Sequence, residues 1–372
     1  MMASRTLPEI AAKLEAGDRL DEADALALLT ADDLIGLGEL ADRTNRRRNG
    51  DRVFFNVNRH INPTNVCVNR CRFCAFSRSP GQEGAYTLGR DEVLARAAEA
   101  DRAGATELHI VGGLHPDLPF GWYRDLVAEI HERFPRLHIK GFTAVEIDHL
   151  ARMGGGSAER VLRELRDAGL GSLPGGGAEL LPEPVRSRIC PEKIPGARWL
   201  EIMEIAHGLG LRSNATMLYG HVERPEDRVE HLRMLRDLQE RTGGFQAFIP
   251  LAFQPLHSDL GQGRGTAGFD DLRTLATARL YLDNFRHIKA YWVMLGEKVA
   301  QVSLHFGVND LDGTVVEEKI AHEAGATSRG ALTRDELVAL IEEAGRVPVE
   351  RDTLYRPVAR DGARWWVAEG AA

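Results

Sequence analysis

Apolar positions recur along this chain with two periods, near 3.6 and near 2, and the two take turns. Leu7, Ile10, Ala11 and Leu14 repeat at helical spacing, and Asp18 breaks the run. Residues 21–29 read as a second short helix and residues 31–46 as a third, with Thr30 as its cap. Asn49-Gly50-Asp51 is a turn. From there strand-like runs appear at residues 53–58, 107–113, 137–143, 170–173, 212–218, 245–251, 289–294 and 302–306. Helical stretches fall between them, including 90–103, 121–134, 144–152, 157–168, 197–209, 225–242 and 270–285. Pro225 suits a first helical position. A last amphipathic helix covers 333–344.

Strands alternating with helices predict a parallel sheet. Eight such units closing on themselves predict an α/β fold, a (β/α)8 TIM-like barrel. A partial (β/α)6 barrel of six strands is the alternative. The expected division is an N-terminal helical extension over 1–50, the barrel over 51–330, and a C-terminal helical tail over 331–372 packed on it.

Composition narrows the function classes. The 372 residues are 43% hydrophobic and 27% charged, enough for a large core. The net charge of −8 and the pI near 5.9 argue against a nucleic-acid partner. The basic run Arg46-Arg47-Arg48 reads as a solvated helix end. No apolar run approaches the roughly 20 residues of a membrane helix. The first residues lack the apolar core of a signal peptide. With only four cysteines, the chain is expected in a reducing cytoplasm, with no membrane partner.

Three of those cysteines sit in one short stretch, Cys67, Cys71 and Cys74, spaced C-x3-C-x2-C. Thiolates are soft ligands that suit iron–sulfur clusters and zinc. A [4Fe-4S] cluster normally takes four thiolates. Three from one loop leave one iron open to a small chelating molecule. A structural zinc site would need a second Cys/His pair at fitting spacing. A disulfide would need an oxidising compartment, and a multi-cluster ferredoxin would need more cysteines. The spacing, with the aromatic Phe73 before the last cysteine, resembles the radical SAM superfamily. That resemblance implies one [4Fe-4S] cluster and S-adenosyl-L-methionine (SAM) as co-substrate. Cys190 reads as a small buried residue.

In a barrel, reacting groups gather where strands end. Gly112-Gly113 follows the second strand, and glycine lets backbone approach a ligand closely. The superfamily resemblance implies that this pair binds the SAM ammonium, although Leu114 stands where relatives carry an acid. Glu146 follows the third strand. It is either a carboxylate for the SAM amino group or ribose, or a first-turn acid favoured by the helix dipole. Gly175-Gly176-Gly177-Ala178-Glu179 follows the fourth strand as a backbone nest with an acid, Glu179, beside it. Asn214 and Thr216 share one face of the fifth strand, and His221 ends it.

Longer stretches narrow the resemblance. Residues 62–76, 175–179, 214–221, 242–248 and 301–319 resemble the futalosine-pathway radical SAM enzymes of menaquinone biosynthesis, a likeness running from about residue 50 to 355. The resemblance implies cleavage of SAM to methionine and a 5′-deoxyadenosyl radical. It further implies addition of that radical to 3-[(1-carboxyvinyl)oxy]benzoate, then aryl migration and loss of the carboxylate, giving 6-amino-6-deoxyfutalosine. Phe73, Gly112, Gly113, Glu146 and Glu179 are then cofactor-binding candidates. His60, Asn62, Asn214 and His221 are candidates for the two substrate carboxylates. A small-molecule substrate and a low-potential electron donor such as flavodoxin or ferredoxin are the implied partners. Two other enzymes of this group, the cyclase acting on dehypoxanthine futalosine and the deazaflavin synthase, are alternatives. A non-catalytic metal-binding barrel or electron carrier is the alternative from another class.

Overall fold

Strand and helix alternate from residue 52 onward in a computed structural model that describes residues 5–260 and 265–368. Residues 1–4 and 369–372, the outer ends of the two expected extensions, lie outside the described residues. The first two strands, β1 (Arg52–Asn56) and β2 (Asn58–Ile61), form one extended run broken only at Val57. β3 (Glu107–Ile110), β4 (His138–Gly141), β5 (Leu170–Leu173), β6 (Arg212–Tyr219), β7 (Phe245–Ala252) and β8 (His287–Ile288) follow. β2 through β8 pair in sequence order, all parallel, as one seven-stranded sheet. Its helices cover the outside, so the apolar residues between sheet and helices form the main core.

The sheet curls until β9 (Asp310–Gly313) reaches one of its edges and the residues just after β9 reach the other. Ala290 N–H donates to the Asp310 carbonyl at 2.9 Å, and His60 N–H to the Val316 carbonyl at 2.9 Å. Parallel bridges Lys289↔Asp310 and Arg59↔Val316 mark the same two seams. Counting β1 and β2 as one run, the circuit has the expected α/β barrel form.

The last two strands are not where the sequence pattern puts them. Residues 289–294 were expected as a strand, but pairing stops at the Lys289 bridge and helix Trp292–Leu295 begins. Residues 302–306 fall at and beyond the end of helix Glu297–Ser303, and β9 takes the eighth place. Gly296 at φ +77 separates the two helices. Trp292, Leu295, Ala300 and Ser303 are buried at helical spacing. Tertiary packing here overrides the β-propensity of Tyr291-Trp292-Val293. The third N-terminal helix is Leu34–Asn49, capped by Asp33 rather than Thr30, which closes Glu22–Leu29 instead. It packs along helix Gly268–Tyr281 on the barrel wall.

The expected helical tail is only partly helical. Helix Arg334–Glu343 is present, and Gly345 at φ +68 lies just beyond its end. Then β10 (Val347–Glu350) pairs parallel with β1, on the side away from β9. β11 (Val358–Asp361) and β12 (Arg364–Val367) make a hairpin. Its two-residue Gly362-Ala363 loop, with Gly362 at φ +57, is of the length that strand twist favours. Among the described residues no helix is long and apolar enough to cross a membrane.

Candidate active site

The cysteine loop leaves β2 and folds back on itself. Asn65 Nδ2 donates to the Gly84 carbonyl while its Oδ1 accepts from Tyr86 N–H. Thr64 Oγ1 donates to the Tyr86 carbonyl and accepts from Val66 N–H. Cys67 N–H donates to the Arg78 carbonyl at 3.0 Å. The loop is then pinned to the end of β3. Gly113 N–H donates to the Thr64 carbonyl at 2.8 Å, and Val68 N–H to the Leu114 carbonyl at 3.0 Å. A methyl on Gly113 would lie 2.2 Å from the Val66 carbonyl oxygen. Gly113 is therefore required for contact between two pieces of this chain.

Cys67, Cys71 and Cys74 all face one cavity of about 300 Å³, and Cys190 does not. Burial raises the Cys67 thiol, against backbone N–H groups of Leu114 and Asn69 that favour its thiolate. Burial pushes Cys71 up to about 12. A positive metal centre is what would hold these sulfurs as thiolates.

Around the thiols lie the strand-end residues. Glu146 caps its own helix, accepting from Thr143 N–H at 2.7 Å, and it also accepts from Gly112 N–H at 3.0 Å. Both readings of this residue thus hold at once, since its carboxyl also lines the cavity. Burial pushes it up to about 7. The glycine turn after β5 is held by Thr216 Oγ1, which donates to the Gly175 carbonyl at 2.6 Å. The fully buried Arg186 donates to the carbonyls of Gly177, Ala178 and Ile194. Glu179 sits at φ +48, a conformation rare for a residue with a side chain. It pairs with the buried Lys193, whose Nζ lies 5.1 Å from the centre of the Phe73 ring.

Deeper in the barrel, His60 and His109 stack with ring centres 4.5 Å apart. Pairing of β2 with β3 puts them side by side. Near them are two buried ion pairs, Lys140–Glu107 at 2.7 Å and Lys289–Asp312 at 2.8 Å. Asn214, Tyr291, Asp312 and Glu318 complete this half of the wall.

Of the sequence candidates, Phe73, Gly112, Gly113, Glu146 and Glu179 line the cavity with the three cysteines, as do His60 and Asn214. Asn62 and His221 do not. Asn62 Nδ2 donates to the Val111 carbonyl at 2.9 Å, bracing the strand end. His221 Nε2–H donates to the Leu218 carbonyl at 3.0 Å, and its Nδ1 accepts from Val222 N–H at 2.7 Å. Burial holds that imidazole neutral. Both are structural in this fold, so neither is placed to bind a substrate carboxylate. Lys193, His109, Tyr291 and Glu318 were missed. Only His109 carried a signal, its place one residue from the centre of a strand facing His60.

Two family descriptions match the chain: the Radical SAM superfamily over residues 61–235 and the CofH/MqnC C-terminal region over 242–361. Aminodeoxyfutalosine synthase of Thermus thermophilus is 48% identical over 95% of this chain and 96% of its own length. The aminodeoxyfutalosine synthase of Streptomyces coelicolor is 44% identical over 93% of this chain and 92% of its own. The chain belongs to the radical SAM superfamily, in the family of these synthases. Cyclic dehypoxanthine futalosine synthase of Streptomyces coelicolor is also 44% identical, over 94% of this chain and 88% of its own length. Among solved structures, methylornithine synthase superposes with a TM-score of 0.73 at 18% identity, covering 91% of this chain and 97% of that one. That likeness concerns the fold.

Radical SAM enzymes carry an iron–sulfur cluster and use SAM, and the residues here fit both. Among the described residues no three His, Cys, Asp or Glu side chains converge as ligands of a single ion would. Three separate thiols on one cavity wall suit a cluster that spans them. The cavity they share is also lined by Gly112, Glu146, the glycine turn and Glu179, which can take an ammonium and hydroxyl groups.

Proposed function

We propose that this radical SAM enzyme joins the 5′-deoxyadenosyl group of SAM to 3-[(1-carboxyvinyl)oxy]benzoate, giving 6-amino-6-deoxyfutalosine for menaquinone biosynthesis. The observation that carries this reading is the near full-length match to two aminodeoxyfutalosine synthases, one at 48% identity. When bound, a reduced [4Fe-4S] cluster supplies the electron that splits SAM into methionine and the adenosyl radical. A carbon–carbon bond then forms to the enol ether methylene, the aryl group moves from oxygen to carbon, and the carboxylate leaves as carbon dioxide. Loss of the carboxylate from the rearranged radical releases carbon dioxide and one electron, and return of that electron offsets the one taken up in SAM cleavage, so the sum is redox-neutral.

The chain's own residues do the placing. Cys67, Cys71 and Cys74 hold the cluster. Gly112, Glu146, Glu179 and the turn at Gly175–Gly177 hold SAM against it. The apolar stretch of wall from Ile249, Leu251, Phe253 and Met294 excludes water and keeps hydroxyl hydrogen donors away from a primary radical. His60 and Asn214 lie across the cavity, where the arene has to sit in near-attack geometry. The reductant is a low-potential carrier of the flavodoxin or ferredoxin kind, in a reducing compartment such as the cytoplasm.

A second reading, the futalosine cyclase, is favoured by the match of residues 242–361 to the CofH/MqnC C-terminal region. Anaerobic turnover separates the two. Incubation with SAM and the enolpyruvyl arene is expected to yield a product whose mass includes the adenosyl group. Free 5′-deoxyadenosine made only with dehypoxanthine futalosine would assign the cyclase instead.

A further inference from the structure

Apart from Glu146, which backbone N–H groups hold, the charged side chains of this cavity come in closed pairs. Glu179 has Lys193 and Asp312 has Lys289. Glu318 has His322, whose Nδ1 lies 3.1 Å from the Glu318 carboxylate and whose Nε2 faces the Ser328 carbonyl at 3.2 Å. Both imidazole nitrogens meet only acceptors, so His322 is a cation. Below the floor, Lys140 has Glu107 and Arg351 has Asp310. Moving any of these cations to a ligand would strand a buried carboxylate, a change that costs several kcal/mol.

The groups without protein partners are neutral. His60 Nε2 is buried with no hydrogen-bond partner among the described residues. His109 stacks on His60, and it and the Tyr291 hydroxyl line the same cavity without a hydrogen bond to any described residue. His60 is buried, where a polar group in a native fold has a partner, and the half-buried His109 and Tyr291 open on the cavity, so these donors are placed to meet a ligand. Burial keeps both imidazoles unprotonated, helped for His109 by the charges of Lys140 and Lys289. Burial next to Glu318 and Asp312 keeps Tyr291 protonated.

We propose that this cavity recognises the enolpyruvyl carboxylate of the arene through neutral donors, an imidazole N–H of the stacked His60–His109 pair and the Tyr291 hydroxyl, with no cation in contact. The inference rests on the proposed function and specifies its substrate half. Its chemical sense is that the reaction discards a carboxylate. An anion held by neutral hydrogen bonds is retained less firmly than one in a buried salt bridge, where loss of charge would leave a lysine unpaired.

The test uses the reconstituted holoenzyme with SAM, under anaerobic conditions, and reads binding of the enolpyruvyl benzoate by titration calorimetry beside turnover. His109→Phe and Tyr291→Phe should each weaken arene binding by roughly 10- to 100-fold, the value of a neutral donor to a charged acceptor. The KM for SAM should stay within about twofold, since these side chains lie away from the thiol wall. His109→Gln, which restores an N–H, should recover most of the loss, as a merely structural role would not. The wild type should prefer the arene over its enolpyruvyl-carboxylate methyl ester, and the double variant His109→Phe/Tyr291→Phe should not discriminate. Unchanged arene affinity in both single variants overturns the inference. Arene that binds, with the same losses in the variants, but forms no adenosylated product would overturn the proposed function and leave the recognition device standing.

Discussion

Gly113→Ala should disable the cysteine loop while leaving the barrel folded. Gly113 is not in the left-handed region, so an alanine meets no backbone penalty there, and the effect is one of space alone. Its methyl would stand 2.2 Å from the Val66 carbonyl oxygen, 2.7 Å from the Val66 carbonyl carbon and 3.1 Å from the Asn65 carbonyl carbon. Carbon–oxygen contacts settle near 3.3 Å, so the loop has to retreat by about 1 Å. Backbone cannot rotate out of the way as a side-chain tip can. The retreat stretches the Gly113–Thr64 and Val68–Leu114 hydrogen bonds that fix the loop one residue from Cys67. Overpacking of this size costs about 1–3 kcal/mol, which a barrel of this length survives. Misplacing the thiols by about 1 Å is expected to lower SAM cleavage by roughly 100-fold. The assay is anaerobic reconstitution, iron and sulfide content, and 5′-deoxyadenosine release, with circular dichroism for the fold. Gly208→Ala, where a methyl meets nothing within 4 Å, is the control and should behave as wild type. Full cluster content and full SAM cleavage in Gly113→Ala would refute the steric argument.

Cys67→Ala should abolish SAM cleavage, whereas Cys190→Ala should retain it and lose about 1 kcal/mol of stability from a small cavity; loss of cluster in the second variant would place Cys190 among the ligands. His322 is raised to about 9, first by its hydrogen bond to Glu318, so its contribution to stability is complete below pH 6.5 and disappears as pH climbs through 9. After allowance for solvent screening the difference from His322→Gln should be about 1–2 kcal/mol in denaturant melts at pH 6 and nil at pH 10; parallel curves across that window would disprove it. Asp312→Asn releases Lys289 from its carboxylate, and the freed ammonium should tighten arene binding while slowing turnover. Weaker binding in that variant would mean the lysine cannot reach the arene.

The parts of this protein legible in its sequence are those where one residue type is chemically rare. Three cysteines in eight residues name a metal chemistry without help from the fold, and glycines after strands mark close approach. Alternation of period 2 with period 3.6 located six strands well, because each lies between helices with clear caps such as Thr143 and Ser157. The last strands slipped because aromatic and β-branched residues at 291–293 pack as well in a short helix. Charged residues were the hardest. Lys193, Lys289 and Glu318 look like solvated surface in a linear reading, and only pairing across 14 residues for Lys193–Glu179 and 23 for Lys289–Asp312 makes burial affordable. His221 failed in the other direction. Its place at a strand end is the one catalysis favours, but a carbonyl three residues back takes its N–H.

The cavity thus divides into two electrostatic halves with different tasks. On the thiol side, Glu146 and Glu179 present carboxyl groups to a ligand that brings a positive sulfonium and an ammonium. Elsewhere on the wall Lys289 and His322 pair with Asp312 and Glu318, so a ligand there would meet imidazole, hydroxyl and amide groups. A free cation there would bind a dicarboxylate more tightly in the ground state, and that stabilisation would be lost as the carboxylate departs. Pairing each cation with its own acid removes the penalty without exposing the site to water. The same pairs fix the floor beneath the stacked His60–His109 rings.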